Sequence, residues 1–202
     1  MAYLNLMNQK LKTLPDLSDN LKIKVLDVSR NYLEEIDSSK LPPKLITLKC
    51  NNNYIKHLDN LPQTIERLIC DTNFINSLNN LPTSLQYLSC ANCQLRTLDL
   101  LPLGLKILYC NANLIESLDN LPPYLEELYC IHNNIYQLHN LPRNLKVLYC
   151  DKNRIGDFTY LPDTLKDISY NEYRDVSKVF KYAYEDNEYL EQLNERIIKA
   201  QS

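Results

Sequence analysis

Seven cysteines and three histidines are the residues of this 202-residue sequence that could bind a metal or act as nucleophiles. A metal site needs ligands that converge from different directions, often two cysteines separated by two residues. Only Cys90 and Cys93 have that spacing. Alternation along a strand would turn Cys90 inward and leave Cys93 in the following turn. The spacing therefore predicts small buried thiols, with no metal site and no cofactor.

Nucleophilic catalysis is disfavoured for the same reason. Cys130 and His132 are close in sequence, but a strand would direct Cys130 to the core and leave His132 on the outer side at the strand's end. Loops that cradle phosphate groups need glycine, and the chain contains only two. We expect no catalytic residues and a protein that is not an enzyme.

Charge and hydropathy exclude two further classes of partner. The chain has 22 Lys and Arg against 25 Asp and Glu, a net charge of -3, which argues against binding nucleic acid or an anionic membrane. No apolar run approaches the length of a membrane span, and Met1 opens directly into patterned sequence without a signal peptide. We expect a cytoplasmic protein, and a packed series of free thiols would suit a reducing compartment.

Six of the cysteines belong to a repeat that runs through most of the chain. The unit is L-P-x-x-L-x-x-L-x-C-x-x-N-x-I-x-x-L-x-N, and its Leu-Pro start recurs every 20 residues from Leu41 to Leu161. Asparagine follows each cysteine by three residues except where Cys93 takes its place. Two longer copies, spaced by 22 residues, precede the series, and Ile168 with Tyr170 forms a degenerate last strand. The period predicts about nine strands.

The period also predicts how the strands assemble. In x-L-x-C-x, alternation sends Leu and Cys to one face, which a single strand cannot bury alone. Stacked parallel copies bury a continuous core, and each Asn can bond backbone groups that the turn leaves unpaired. The rest of a 20-residue unit is too short for a helix, and its proline favours an extended backbone. We expect a curved parallel sheet on the concave side and an extended or polyproline-like convex side.

This pattern resembles the leucine-rich repeat proteins over about residues 1–173. The 20-residue unit with L-P-x-x-L is similar to the repeats of secreted bacterial effectors of the YopM and IpaH kind. The L-x-C-x-x-N core, with abundant Asn, Ile, Lys and Tyr, resembles leucine-rich repeat proteins of mimivirus-type giant viruses. The resemblance implies a right-handed solenoid that binds other proteins, and a viral protein of this kind would act in the host cytoplasm.

The two ends of the array lead to separate predictions. After the repeats, apolar residues at helical spacing, including Val176, Val179 and Phe180, predict an α-helical cap over residues 174–202. The alternative for the last helix is a partner-binding or dimerising segment. At the other end, the strand from Tyr3 to Leu6 would have an open edge, so we expect a second copy of the chain to cover it as a homodimer.

The candidate binding site lies at the positions that vary within the repeat and face solvent from the concave sheet. Tyr109, Tyr129 and Tyr149 occupy the same position in three successive units. Together with neighbouring columns they predict an apolar-aromatic patch with a charged rim, formed by Tyr87, Ile107, Tyr109, Glu127, Tyr129, Ile131, Val147, Tyr149, Arg67 and Asp151. Exposed patches of this kind often mark interaction sites.

Several interpretations of this patch remain open. The leading one is a non-enzymatic module that binds another protein through the tyrosine-rich sheet. A structural or self-assembling protein, which binds its own copies through the patch or the N-terminal edge, is the second. Carbohydrate or small-ligand binding is a weaker third, because an open sheet offers no enclosed pocket. Tyrosine also suits strands, so the column could instead stabilise the sheet.

Overall fold

The computed structural model describes residues 2–170. These residues form one sheet of nine strands, all parallel and arranged in the order of the sequence. The strands are β1 (Ala2–Asn5), β2 (Ile23–Asp27), β3 (Thr47–Lys49), β4 (Arg67–Ile69), β5 (Tyr87–Ser89), β6 (Ile107–Tyr109), β7 (Glu127–Tyr129), β8 (Val147–Tyr149) and β9 (Asp167–Ser169). This arrangement confirms the predicted leucine-rich repeat solenoid.

The core follows the repeat without slippage. From β3 onward each strand pairs residue for residue with the equivalent positions 20 residues later, so that Leu48 lies beside Leu68 and Leu68 beside Leu88. These central leucines are fully buried, as are the cysteines two positions after them from Cys50 to Cys130. Because every repeat buries its apolar face against its neighbours, the core is a single continuous cluster.

The segments between strands contain turns rather than α-helices. The one helical element among residues 2–170 is a three-residue 3-10 turn, Ser38–Lys40, and no helix there is long and apolar enough to cross a membrane. After each Leu-Pro start the proline carbonyl accepts the amide N–H three residues later, as between Pro62 and Ile65 at 3.1 Å. The predicted absence of a convex helix is therefore confirmed for this part of the chain.

The asparagines hold neighbouring turns together. The Nδ2 group of Asn113 donates to the carbonyl oxygens of Cys90 and Cys110, both at 3.0 Å. Its Oδ1 accepts the amide N–H of Leu95 at 3.0 Å. The same pattern of two repeats joined by one buried side chain recurs at Asn53, Asn73, Asn133 and Asn153. The prediction that this column is structural is confirmed.

Cys93 interrupts the asparagine column and changes the local backbone. Its thiol reaches the carbonyl oxygens of Cys70 and Ala91 at 3.3 and 3.5 Å, which is a weaker version of the asparagine contacts. The next residue, Gln94, has a φ of 65°, whereas the residues that follow the asparagines of the column stay outside the left-handed region. In a regular repeat the residue after the asparagine donates its amide N–H to the preceding repeat, as Leu114 does to Leu95 O at 2.8 Å. Gln94, at the equivalent position, makes no such bond within residues 2–170.

The ends of the array differ in what is described. Residues 174–202, for which a helical cap is predicted, lie outside the described part of the chain, as does the predicted domain boundary at residue 173. At the other end, β1 is the first strand of the sheet and pairs only with β2 among residues 2–170. Leu4 and Leu6 are only partly buried there.

Candidate functional site

The tyrosine column forms on the concave face because the strands that hold it are in register. Tyr109 lies beside Tyr129, and Tyr129 beside Tyr149, on the adjacent strands β6, β7 and β8. The rings of Tyr109 and Tyr129 stack in parallel with centroids 4.1 Å apart. The rings of Tyr129 and Tyr149 meet edge to face at 5.1 Å. Strand register thus brings the three predicted rings into one continuous column.

A fourth ring and a guanidinium extend the column toward the N-terminal strands. Tyr87 belongs to the neighbouring column, but its ring lies 5.6 Å from that of Tyr109. The Arg67 guanidinium carbon lies 3.4 Å from the centroid of the Tyr87 ring, a cation–π contact. Burial raises the pKa of Tyr87, and the positive charge of Arg67 opposes that rise. We call Tyr87, Tyr109, Tyr129 and Tyr149 together the tyrosine ladder.

The last two hydroxyls of the ladder donate hydrogen bonds to carboxylates. Tyr129 donates to Glu127 Oε2 at 3.1 Å, and Tyr149 donates to Asp167 Oδ2 at 2.9 Å. Burial, together with the bonds to Tyr109 and Glu127, raises the pKa of Tyr129. The bond to Asp167 and its negative charge raise the pKa of Tyr149. Both hydroxyls are therefore neutral donors at physiological pH.

The other predicted residues share the same face. Ile107, Glu127 and Val147 lie side by side in the column that also holds Tyr87. Ile131 follows Cys130, and its amide N–H donates to Asn111 Oδ1 at 2.8 Å. Arg67 is exposed, whereas the remaining predicted residues are half-buried, and Asp151 accepts a bond from Ser169 Oγ at 2.7 Å. Structure and sequence agree on the placement, and the binding role stays a prediction.

Sequence reasoning missed Asp167 as a partner of the ladder. It lies on β9 beside Val147, in the neighbouring column and one strand beyond Tyr149. The diagonal contact between residues on adjacent strands is within reach of a long side chain such as tyrosine. The position of Asp167 in the outward column was visible in the sequence, but its choice of partner depended on the ring orientation of Tyr149.

A second aromatic stack, on the flank of the solenoid, was also missed. Tyr32, Tyr54 and Phe74 each follow the repeat asparagine, and their rings lie nearly parallel at 6.2 and 6.0 Å. Each is 46% exposed, more than any member of the tyrosine ladder. The sequence signal that could have predicted this stack is the aromatic residue that follows each of Asn31, Asn53 and Asn73. Because aromatic stacks occur at two places on the solenoid, stacking alone does not identify a binding surface.

The six thiols of the repeat lie in the core, as the sequence predicted, and Cys93, which was expected only to lie in the turn, is buried as well. All seven cysteines are free and buried. Burial raises the pKa of Cys110 to about 12 and that of Cys90 well above its ordinary value. Hydrogen bonding between Cys70 and Cys93 raises the pKa of Cys70 and lowers that of Cys93. Within residues 2–170, no three His, Cys, Asp or Glu side chains converge as a metal site would require.

The repeat, the parallel sheet and the asparagine column define the class: this chain belongs to the leucine-rich repeat proteins. Among solved structures it is similar to YopM, a leucine-rich effector protein from Yersinia pestis, with a TM-score of 0.73 and 31% identity over 80% of this chain and 45% of YopM. The chain therefore spans less than half the length of that neighbour. No protein-family model and no curated protein matches the sequence.

Two structures from Listeria monocytogenes share the fold at lower identity. The functional domain of InlJ, which includes a cysteine ladder, has a TM-score of 0.57 and 24% identity over 79% of this chain and 42% of that one. Internalin C2 has a TM-score of 0.52 and 21% identity over 63% of this chain and 71% of that one. The resemblance to giant-virus proteins stays a prediction.

Proposed function

We propose that this chain is a non-enzymatic module that binds a partner protein through its concave, tyrosine-rich sheet. Solenoids of this class use their extended concave surfaces for binding, which supports the wider protein-binding role. The single observation that carries the finer proposal is the tyrosine ladder itself. Its rings lie on the face opposite the buried leucines, so none of them is needed to fill the core.

The physical properties of the ladder suit recognition. Tyrosine has two side-chain torsions, and stacking fixes them before a partner arrives, so that little conformational entropy is lost on binding. The hydroxyls of Tyr129 and Tyr149 are held as neutral donors by Glu127 and Asp167. Ile107 lies between Tyr87 and Glu127, Val147 lies between Glu127 and Asp167, and both add apolar area. A rigid aromatic centre with a polar rim is the usual arrangement of a binding hot spot.

Affinity capture with matched variants tests this proposal. The immobilised chain captures a partner from candidate host lysate, the captured protein is identified and purified, and its Kd is measured against each variant. Replacing Tyr109, Tyr129 and Tyr149 with Ser should abolish binding without preventing folding, because these rings lie outside the core. The matched control changes three exposed tyrosines elsewhere, Tyr124, Tyr136 and Tyr160, to Ser. Equal affinity of the ladder variant and the parent would refute the proposal.

A second proposal, self-association through the N-terminal edge, rests on β1. The outer edge of this strand has no partner among residues 2–170, and Tyr3 is exposed. An edge strand of this kind can pair with a second copy of the chain. Light scattering should then give a mass that rises with concentration, and Tyr3→Lys should suppress the rise because it adds charge at an exposed position of the edge strand. A constant monomer mass up to tens of micromolar would exclude this role.

We further propose that the protein works in a reducing cytoplasmic compartment, which would be the host cytoplasm if the chain is viral. The support is the series of adjacent free thiols in the core. The net charge of -3 supports a protein partner rather than nucleic acid or an anionic membrane. Fractionation of the expressing cell tests the cytoplasmic location. Trapping the thiol state by alkylation during fractionation tests whether the compartment is reducing.

A further inference from the structure

The concave sheet face is electrically asymmetric along its length. From β5 to β9, the outward strand positions and the position after each cysteine carry three acids, Glu127, Asp151 and Asp167, and no Lys or Arg. On β3 and β4 the same positions hold two bases, Lys49 and Arg67, and one acid, Asp71. The half of the face that holds the tyrosine ladder therefore presents negative charge and aromatic rings together.

The N-terminal end of the ladder already holds a cation. The guanidinium of Arg67 lies 3.4 Å from the centroid of the Tyr87 ring. A guanidinium binds well there because the plane of the group can stack on the electron-rich face of the ring. The chain thus shows how an arginine fits at one end of its own ladder.

The C-terminal end of the ladder has no such cation among residues 2–170. The position after Tyr149 in the same column is Ser169, whose small side chain turns to Asp151 at 2.7 Å. Tyr149 itself donates to Asp167 at 2.9 Å. The tyrosine ladder therefore ends with Tyr149 beside two carboxylates, those of Asp151 and Asp167.

Within residues 2–170 the acids at this end accept hydrogen bonds from hydroxyls but have no basic partner. Among residues 2–170 the structure has two ion pairs, Lys40–Asp37 and Lys146–Glu126, and neither includes Glu127, Asp151 or Asp167. The negative charges of Asp167 and Asp151 both raise the pKa of the Tyr149 hydroxyl, so both carboxylates act on the same ring. A cation on Tyr149 would be attracted by the ring and by both carboxylates.

We propose that the partner is a basic protein segment that places an arginine against Tyr149, between Asp151 and Asp167, as Arg67 lies against Tyr87. Arginine fits better than lysine because its planar fork can stack on the ring and donate to two carboxylates at once. Glu127, one strand earlier, would attract a second basic residue of the same segment. This inference rests on the proposed function of the concave face.

A peptide titration tests the chemistry without knowledge of the natural partner. The probe is acetylated tri-arginine amide, and the readouts are tyrosine ring NMR shifts and calorimetry on the full chain. Saturable binding should shift the Tyr149 ring, whereas a tri-citrulline peptide of the same shape should not bind. Tri-lysine should bind more weakly than tri-arginine.

Neutral variants separate the two carboxylates from general electrostatics. Asp151→Asn with Asp167→Asn should weaken tri-arginine binding about tenfold or more, since both charges are lost while the oxygen acceptors for Ser169 and Tyr149 remain. The matched control, Asp59→Asn with Asp163→Asn, removes the same charge from exposed positions that lie off the concave face and should leave the affinity unchanged. An equal loss in both double variants would overturn the site and show non-specific attraction.

The remaining outcomes are also decisive. Absence of saturable tri-arginine binding to the parent would overturn the inference. If the natural partner still binds the Asp151 and Asp167 variant but not the tyrosine variant, this inference fails while the proposed function stands. If the partner binds both variants as it binds the parent, the proposed function itself fails.

Discussion

Replacing Cys93 with asparagine should stabilise the protein, although the change puts a polar amide into a fully buried position. The position is equivalent to Asn73 and Asn113 in the adjoining repeats. In those repeats the side chain donates to carbonyl oxygens of its own and of the preceding repeat. Its oxygen accepts backbone N–H groups of the preceding repeat, from Ile55 at Asn73 and from Cys93 and Leu95 at Asn113. Cys93 has only a weak S–H donor and no oxygen. The substitution therefore restores contacts that the surrounding backbone is already arranged to make.

The expected gain can be worked out from three contributions. The amide group would replace sulfur contacts of 3.3 and 3.5 Å, to Cys70 O and Ala91 O, with N–H···O bonds. Its oxygen would accept the Ile75 amide, as Asn113 accepts that of Leu95 at 3.0 Å. Net hydrogen-bond gains of about 1 kcal/mol each are typical, and release of Gln94 from positive φ adds about 1 kcal/mol. Allowing for the larger side chain, we expect about 2 kcal/mol.

Urea unfolding followed by circular dichroism measures this gain, and thermal unfolding gives an independent value. For a chain of about 200 residues, 2 kcal/mol corresponds to a rise in Tm of about 4–8 °C. The matched control, Asn133→Cys, reproduces the Cys93 arrangement in a regular repeat and should lower stability by a similar amount. An unchanged or lower Tm for Cys93→Asn would refute the reasoning, because it would mean that the thiol is as good a partner as the amide.

Two other consequences can be tested with the same protein. Leu100→Asn should raise the free energy of unfolding, measured in urea, by about 1 kcal/mol. Leu100 is 71% exposed and has a φ of 65°, and the equivalent turns hold Asn80 and Asn120, a residue type that tolerates this backbone better. The matched control, Asn120→Leu, should have the opposite effect. A lower urea midpoint for Leu100→Asn would contradict the strain argument. The buried thiols of the core should not react with a thiol reagent at pH 8. Burial raises the pKa of Cys110 and Cys150 to about 12, so their contribution to stability is complete below the unfolded pKa near 9 and is lost between about pH 9 and 12. Rapid labelling of native thiols, or stability that stays constant over that range, would contradict the burial argument.

The sequence predicted those parts of the fold that the period determines. A repeat of 20 residues with Leu68 and Cys70 in alternation determines which side chains face inward, and the same alternation places Tyr109, Tyr129 and Tyr149 outward. Strand order and register follow because each repeat contacts only its neighbours. The residues of the candidate site could therefore be named from the sequence alone.

Features that depend on side-chain rotamers or on departures from the repeat could not be predicted in this way. The bond between Tyr149 and Asp167 crosses from one column to another, so it depends on ring orientation rather than on register. Gln94 has a positive φ after Cys93, whose side chain lacks the amide group that asparagine supplies in the other repeats. This departure becomes visible only when the hydrogen bonds of each repeat are compared. The stacked rings of Tyr54 and Phe74 occupy equivalent positions of the repeat, which the sequence shows. The pattern of core-facing residues, however, gave no reason to expect a stack on the flank of the solenoid.

The irregular positions adjoin the N-terminal end of the candidate surface and lie away from its three stacked tyrosines, and this separation matters for function. Cys93, Gln94 and Leu100 all belong to one repeat, whereas the three tyrosine strands β6, β7 and β8 are each followed by an intact asparagine of the column. Because repeats interact mainly with their nearest neighbours, a weak interface at Cys93 costs stability locally and does not loosen the strands beyond it. The rings of Tyr109, Tyr129 and Tyr149 are therefore carried by regular repeats, where their spacing is held by the backbone, whereas Tyr87 belongs to the same repeat as Cys93.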